Sequence, residues 1–370
     1  MLKNFWYACE LSSAISSKPK RIMMLNQEFV LYRSSRGEVL AFLDKCPHRG
    51  AALSNGWVED DCIRCPYHGW KFQLDGGCLE IPANQSSVPI PKKARLDAYS
   101  VQEKYGLVWL FWGNLPEEER PPLPLLPEFD NPAWRAVYGE FRWNAHYSRV
   151  LENQFDISHL PFVHSNSIGS GIAEQHKIEE YGVRMEELKG SATVTINQAT
   201  KVRRWSKAIL NKQSSRPLRV TVSFYMPNIS WLEFDFPIGH FKMIIFSVHL
   251  PIDANTTVSR WIVLRNFFTT SWIDEKVRKS VLKPLVEDKS IVESQRPFVI
   301  PDDLTTEVHA PSDALSIAYR KLRKKFLDMG WGKEPVVNTS HYTNGYTSAG
   351  YQDPAIVKVA IAKEATINVV

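Results

Sequence analysis

The chain repeats one short pattern, Cys46-Pro47-His48-Arg49-Gly50 and then Cys65-Pro66-Tyr67-His68-Gly69. Each loop ends in a glycine and offers one thiol and one imidazole. For four such side chains to serve one purpose, the fold must hold two tight loops side by side. That requirement points to short strands joined by turns. The flanking sequence agrees: "FVLYR", "VLAFL" after Arg36-Gly37, "KFQL" before Asp75-Gly76-Gly77 and "LVWLFW" after Gly106 read as β-strands between turn residues.

Two metals accept two sulfurs and two nitrogens. Zinc takes Cys₂His₂ in a tetrahedron, although finger-type sites group the cysteines together and the histidines together. A Rieske [2Fe–2S] cluster needs two thiolates on one iron and two histidines on the other, so each loop contributes one of each. The interleaved order matches that demand, and Cys46, His48, Cys65 and His68 are the expected cluster ligands. Cys62-x-x-Cys65 alone resembles half a zinc ribbon, but no second half exists and both histidines would go unexplained. Cys9, Cys62 and Cys78 are read as small core or surface residues, with Arg49, Gly50, Tyr67 and Trp70 packing around the cluster.

An odd count of five cysteines suits a reducing compartment, and a cytoplasmic location is expected. The opening residues have no uninterrupted apolar run before a cleavage site, so no secretory signal is expected. The stretch Trp231 to Leu250 is broken by Glu233, Asp235, Pro237, His240 and Lys242, too polar for a membrane span. The net charge of +5 is mild and dispersed. It suits an acidic protein partner and does not argue for nucleic acid, so none is expected.

A cluster-bearing β domain uses only the first third of 370 residues. Six prolines between Asn114 and Pro132 resist both helix and central strand, placing a joint there. The expected division is 1–114 for the cluster domain, 115–132 for the joint, 133–330 for a second domain and 331–370 for an unassigned arm. In the second domain, "ATVTINQATKV", "LRVTVSFYM", "MIIFSVHLPI" and "TTVSRWIVLRNF" read as strands. Helices are predicted from about Ser271 to Gln295 and from a Ser312 N-cap onward. Arg320, Lys321, Arg323, Lys324 and Lys325 are expected on the wet face of the latter.

"NQFDISHLPFVH" suggests the second domain's work. Asn153, Asp156 and His159 step by three along a drifting helical face. His164 would lie about 140° from His159 on a continuous helix. Pro161 is expected to break that helix and bring both imidazoles to one metal. A third ligand should be a carboxylate if this is the 2-His-1-carboxylate triad of non-haem iron oxygenases. Asp288 falls within the apolar stripe of Val281, Leu285, Val292 and Gln295, where an ionised carboxylate is costly unless paired or metal-bound. Glu287 shares its face with Lys283, Ser280 and Ser294, so Asp288 is preferred; a buried Asp paired with Arg or a helix end is the alternative. Asp156 is placed to accept from a ligand histidine. Trp231, Phe234 and Phe236 either line a pocket or pack the core, and core is the default.

These motifs resemble the oxygenase components of the Rieske non-haem iron oxygenases over residues 4 to about 328. "EDKSIVESQ" is similar to the family's carboxylate-donating segment. The spacing from Asn153 to Asp156 resembles the single-subunit monooxygenase branch, and "DISHLPFVH", "IPDDLTTEVHAPSD" and "AYRKL" resemble its cyanobacterial members. The resemblance implies an α+β chain: a Rieske antiparallel β domain, then a helix-grip (START/Bet v1-like) catalytic domain. It implies a [2Fe–2S] cluster, a mononuclear Fe(II) on His159, His164 and Asp288, and O₂ as co-substrate. It implies a head-to-tail homotrimer, with Asp156 bridging between subunits, and electrons from NAD(P)H through a separate flavin reductase or ferredoxin. Asn153 and Asp156 are the candidate catalytic residues. The expected reaction is monooxygenation, by hydroxylation or demethylation, of a cyclic aromatic or hydrophobic molecule. Arene cis-dihydroxylation is the alternative; a non-catalytic electron-transfer protein and a zinc-organised binding protein are more distant ones.

Overall fold

Turn residues cut the first third of the chain into eleven short strands. They are β1 (Phe5–Leu11), β2 (Lys20–Met24), β3 (Gln27–Arg33), β4 (Val39–Leu43), β5 (Trp57–Glu59), β6 (Cys62–Arg64), β7 (Lys71–Phe72), β8 (Cys78–Glu80), β9 (Ala98–Tyr99), β10 (Val101–Lys104) and β11 (Leu107–Trp112). In this computed structural model, which describes residues 1–169, 182–196, 217–237 and 239–332, they form three antiparallel sheets, ordered β1-β11-β10, β2-β3-β4-β9 and β5-β6-β7-β8. The four strands read from sequence in this region are all present.

Seven more strands follow: β12 (Arg135–Trp143), β13 (Val183–Met185), β14 (Lys189–Ile196), β15 (Leu218–Tyr225), β16 (Ile229–Asp235), β17 (Lys242–Pro251) and β18 (Thr257–Arg265). They make one antiparallel sheet in the order β12-β18-β17-β16-β15-β14-β13. The strand expected over "ATVTINQATKV" runs to Ile196, and its remainder lies outside the described residues. So does the arm from 333 onward.

Period-two alternation assigns the sheet two different jobs. One face presents Ile229, Trp231, Ile244, Phe246, Val248, Ile262 and Leu264, which pack against Trp6, Ala8, Leu107, Trp109 and Phe111 of the first-third strands. Trp231 is therefore core, as expected. The opposite face is covered by helices: α1 (Tyr147–Phe155), α2 (Leu160–Val163) and α3 (Asp274–Ser294), with α4 (Ala314–Phe326) further along. Val281, Leu285 and Val292 of α3 pack with Trp143, Trp261 and Val263 of the sheet. A large antiparallel sheet wrapped on one long helix makes the chain α+β, as its sequence implies.

Three local expectations need correction. The break between the histidines is not made by Pro161. Helix α1 ends at Phe155, Asp156 is extended (φ −80°, ψ 130°), and Pro161 sits in the first turn of α2, with His159 as N-cap. Proline is well tolerated in a first helical turn, where its missing N–H has no partner to lose. Helix α4 starts at Ala314 rather than after Ser312: Pro311–Asp313 forms a preceding turn, and Asp313 takes the N-cap position without a side-chain bond to the helix. Arg320 and Arg323 are not on a wet face: they are 6% and 5% exposed and ion-paired, Arg320 to Glu152 and Glu307, Arg323 to Asp302.

Candidate metal centres and substrate cavity

The two Cys-His loops are built alike, bond for bond. Gly50 N–H donates to Cys46 O (2.9 Å) and Gly69 N–H to Cys65 O (3.0 Å). Cys46 N–H donates to Ala51 O (2.8 Å) and Cys65 N–H to Trp70 O (2.9 Å). Both closing glycines are left-handed, φ +76° and +71°, a conformation that costs other residues roughly 1–2 kcal/mol. The result is a pair of matching cradles. Cys46 and Cys65 are buried while the Nδ1 atoms of His48 and His68 meet 3.1 Å apart at the exposed rim. Burial and the neighbouring Cys65 push the Cys46 thiol up to about 11, although His48 and Arg49 backbone N–H groups point at its sulfur. A thiolate there needs cationic charge beside it, which iron supplies. Trp70 stacks on His48 at 4.5 Å and 7°, and Tyr67 covers His68 at 3.8 Å. The donor set and its two-sulfur, two-nitrogen split fit a Rieske cluster.

The second centre lies beneath α3. His159 comes from the turn after α1, His164 from the end of α2, and Asp288 from the apolar side of α3. One ligand atom from each lies within 4.8 Å of the others. Asp288 Oδ1 sits 3.4 Å from His159 Nε2 and 3.2 Å from His164 Nε2, yet makes no hydrogen bond. Asp288 is 3% exposed. A buried carboxylate oxygen beside two imidazole nitrogens is the donor set that suits a divalent transition-metal ion.

Both imidazoles are oriented from behind. His159 Nδ1 lies 3.3 Å from Asp156 Oδ2, and His164 Nδ1 lies 2.8 Å from Glu287 Oε2. Each contact turns Nε2 toward the shared point. Burial opposes ionisation of Asp156, but His159 and the Ser158 N–H outweigh it and hold its carboxyl below the usual range. Glu287 is likewise held low, against partial burial, by Ser167 and His164; its bond from Ser167 Oγ is 2.5 Å. Sequence reasoning weighed Glu287 only as a rival ligand. One residue from Asp288 on a helix is about 100° around the axis, so the pair divides the work: one faces the ion, the other the back of His164. Replacing Glu287 with Gln should weaken iron binding by about 10–100-fold. Iron titration of the metal-stripped protein checks this; unchanged affinity refutes the orienting role.

A cavity of about 410 Å³ opens onto this triad. Its floor is the inner face of β15 to β18, its roof α1 and α3, and it includes Asn153, Asp156, His159, His164 and Asp288. Phe234 and Phe236 line it, which overturns the default that placed them in the core. Alternation on β16 sends Leu232 and Phe234 inward while Trp231 points to the other face.

Comparison with known proteins accords with this geometry. Residues 5–100 match the Rieske [2Fe-2S] domain, and residues 143–329 match the vanillate O-demethylase oxygenase C-terminal domain. The chain is 30% identical over 329 residues to methylxanthine N1-demethylase NdmA of Pseudomonas putida, covering 86% of this chain and 88% of that protein. The chain belongs to the Rieske oxygenases. The oxygenase is also 32% identical over 194 residues to the vanillate O-demethylase oxygenase subunit of a Pseudomonas species, covering 52% of each. A solved structure of the Pseudomonas putida NdmA QL mutant with theobromine superposes with TM-score 0.75 at 26% identity, covering 89% of this chain and 92% of that one. Dicamba monooxygenase bound to dicamba shares the fold, with TM-score 0.75 at 22% identity over 89% of this chain and 99% of that one. As a Rieske oxygenase the chain is an oxidoreductase using O₂, a [2Fe–2S] cluster and a mononuclear iron, and it works with a small-molecule substrate and electron-transfer partners.

Proposed function

We propose that this oxygenase monooxygenates a cyclic small molecule, by hydroxylation or demethylation, in the cavity beneath α3. The observation that carries the reading is the set of three ligand atoms within 4.8 Å at the wall of a mainly apolar cavity of about 410 Å³, a volume in the range of small-molecule sites. Its demethylase and monooxygenase relatives support it. Residues 1–114 hold the cluster through Cys46, His48, Cys65 and His68; 115–132 form the joint, and 133–330 house the reaction. His159, His164 and Asp288 hold the iron, and Asn153 and Asp156 are the catalytic side chains.

Bound at these residues, iron supplies one-electron chemistry and activation of O₂. The protein's own groups do the rest. Asp156 and Glu287 accept from the Nδ1 sides of the two histidines and keep Nε2 directed inward. Asn153, whose Nδ2 is buried without a partner, lines the cavity one turn before Asp156 and presents a donor beside the reacting end. Leu232, Phe234, Ile245 and Leu285 exclude water and orient an apolar ring. Asp156 also serves as the link through which charge reaches the site from the cluster of a neighbouring subunit in a head-to-tail homotrimer. A separate flavin reductase or ferredoxin, fed by NAD(P)H, delivers the electrons. No helix among the described residues is long and apolar enough to cross a membrane, and the location we assign is cytoplasmic.

With iron supplied in excess so that both metal sites are filled, Asp156→Ala is expected to lose on the order of 100-fold in reductase-coupled turnover, the upper range for loss of a ligand's outer partner. Full coupled activity refutes the linking role. Product formed under ¹⁸O₂ should carry one labelled oxygen per turnover; in a demethylation that oxygen sits on the hydroxylated methyl group and leaves with it as labelled formaldehyde, the demethylated product staying unlabelled. Two labelled oxygens in one product molecule overturn monooxygenation.

A further inference from the structure

The residues that line the cavity floor are not spread evenly over the sheet. Successive rows of the strand register give Val220, Phe234 and Met243 on β15, β16 and β17, then Leu232 and Ile245 on β16 and β17. The next rows are Ser247 with Trp261, and His249 with Ser259, on β17 and β18. Leu218 and Phe236 extend the first of these ends. The footprint is a diagonal band two or three strands wide. Six residues along β17 span ~20 Å and three strand spacings ~14 Å, so the band runs ~25 Å from corner to corner.

Helix α3 lies along the same line. At its start Asp274 is paired with Arg265 at 2.6 Å, and Arg265 stands opposite Met243 in the register. Towards its end Lys289 Nζ donates to Arg142 O at 2.9 Å, and Arg142 pairs with Val258, next to Ser259. Asp274 to Asp288 is ~21 Å along a helix, matching the ~20 Å of β17 beneath. The iron ligand Asp288 therefore stands over the His249–Ser259 row, with the Phe234–Met243 row at the far end. The two ends differ in chemistry. Ser247, His249 and Ser259 make the metal end polar, and both His249 nitrogens are engaged, by Ser230 Oγ at 2.9 Å and Ser259 Oγ at 2.7 Å. Beyond Ser247 the described floor is Leu232, Ile245, Met243 and Phe234, whose ring stacks on Phe236 at 6.3 Å and 20°. Spread over that length, a volume of about 410 Å³ leaves a section on the order of 20 Å².

We propose that the substrate is an elongated, mainly apolar molecule, a ring with a long apolar extension or rings joined in line. It is bound lengthwise beneath α3, its reacting end over the His249–Ser259 row and its far end against Phe234 and Met243. The proposal rests on the functional reading above and adds the substrate's class. A compact molecule of the same apolar area would have to widen the band by pushing α3 off the sheet, and close-packed contacts resist that. An extended molecule fills the band and removes the same apolar area from water. Shape, not hydrophobicity, then decides which one binds.

The test uses two isomers of equal carbon count, 4-n-octylphenol and 4-tert-octylphenol, with 4-methylphenol as a short reference. Binding of each to the full-length, metal-loaded protein is measured by equilibrium dialysis under anaerobic conditions. The linear isomer should bind about tenfold tighter than the branched one, equivalent to ~1.4 kcal/mol. Met243→Trp fills the far row, so there the linear isomer should lose its advantage while 4-methylphenol still binds. Equal binding of the two isomers by the wild type, tighter binding of the branched one, or no binding of the linear one overturns the proposal. So does a Met243→Trp variant that keeps the linear preference or weakens all three compounds alike. The wild-type ranking stands as a test even if the variant does not fold. The same preparations are assayed for iron. Two irons per chain with a retained linear preference would sink the metal-centre assignment and spare this one; three irons with no preference would do the reverse.

Discussion

Asp288→Ala is expected to purify with two irons per chain instead of three, keeping the visible spectrum of the Rieske cluster while coupled oxygenation is abolished. The reason is electrostatic before it is geometric. Asp288 is 3% exposed on a stripe formed with Val281, Leu285 and Val292, and its Oδ1 faces two imidazole nitrogens without a hydrogen bond. The carboxylate is the single anionic member of a three-ligand set. Removing it leaves two neutral ligands for a divalent ion, a larger loss than the roughly 10–100-fold that follows from disturbing a ligand's outer partner. The cluster loops are carried by other strands, between β4 and β7, and have no part in this loss. A second readout separates the ion-holding role from a merely structural one. An uncompensated buried carboxylate is destabilising, so metal-free Asp288→Ala should melt at a higher temperature than metal-free wild type, and iron should raise the midpoint of the wild type alone. Three irons in the variant, or a lower metal-free midpoint, would contradict this account.

Asp288 was legible from sequence because helical periodicity is strict: a charge within an apolar stripe stands out whatever the rest of the fold does. The cluster loops were legible for a similar reason, since Cys-x-His and Cys-x-x-His spacing constrains only a few bonds of backbone. Glu287 was not legible as the partner of His164. Its face can be read from the helix, but what stands opposite depends on packing between residues 123 positions apart. The helix break illustrates a different limit. Proline was read as a breaker, yet its effect depends on position, and at 161 it opens a helix; the actual ending at Asp156 bears no breaker residue. Phe234 and Phe236 show why cavities are hard to foresee. An inward aromatic reads the same whether it meets another side chain or a substrate, and only the spacing of α3 from the sheet decides. The charged run on α4 misled because Arg320 and Arg323 lie among lysines that are exposed. Their acidic partners, Glu152, Glu307 and Asp302, are scattered along the chain.

That scattered network leads to a large stability effect. Arg320 grips both oxygens of Glu152, with Nε–Oε1 at 2.5 Å and Nη2–Oε2 at 2.8 Å, and reaches Glu307 at 2.7 Å. Arg149 joins from the other side, 2.7 Å from Glu307 and 3.7 Å from Glu152. Arg320→Ala should destabilise the protein by about 3–5 kcal/mol, the range for breaking a buried pair, measured as a lower urea midpoint. The cost is the stranded Glu152, whose own desolvation already raises its pKa despite Arg320. Replacing both partners, as in Glu152→Leu with Arg320→Leu, removes the stranded charge and should recover most of the loss, giving a strong coupling energy in the double-mutant cycle. A cost below about 1 kcal/mol for Arg320→Ala would instead match a solvated surface pair. Position makes the effect matter for catalysis: Glu152 O accepts the Asp156 N–H at 3.1 Å and Glu152 immediately precedes Asn153. Loosening that end of α1 should therefore lower turnover in the folded fraction of Arg320→Ala, and the double-leucine variant should restore it together with stability.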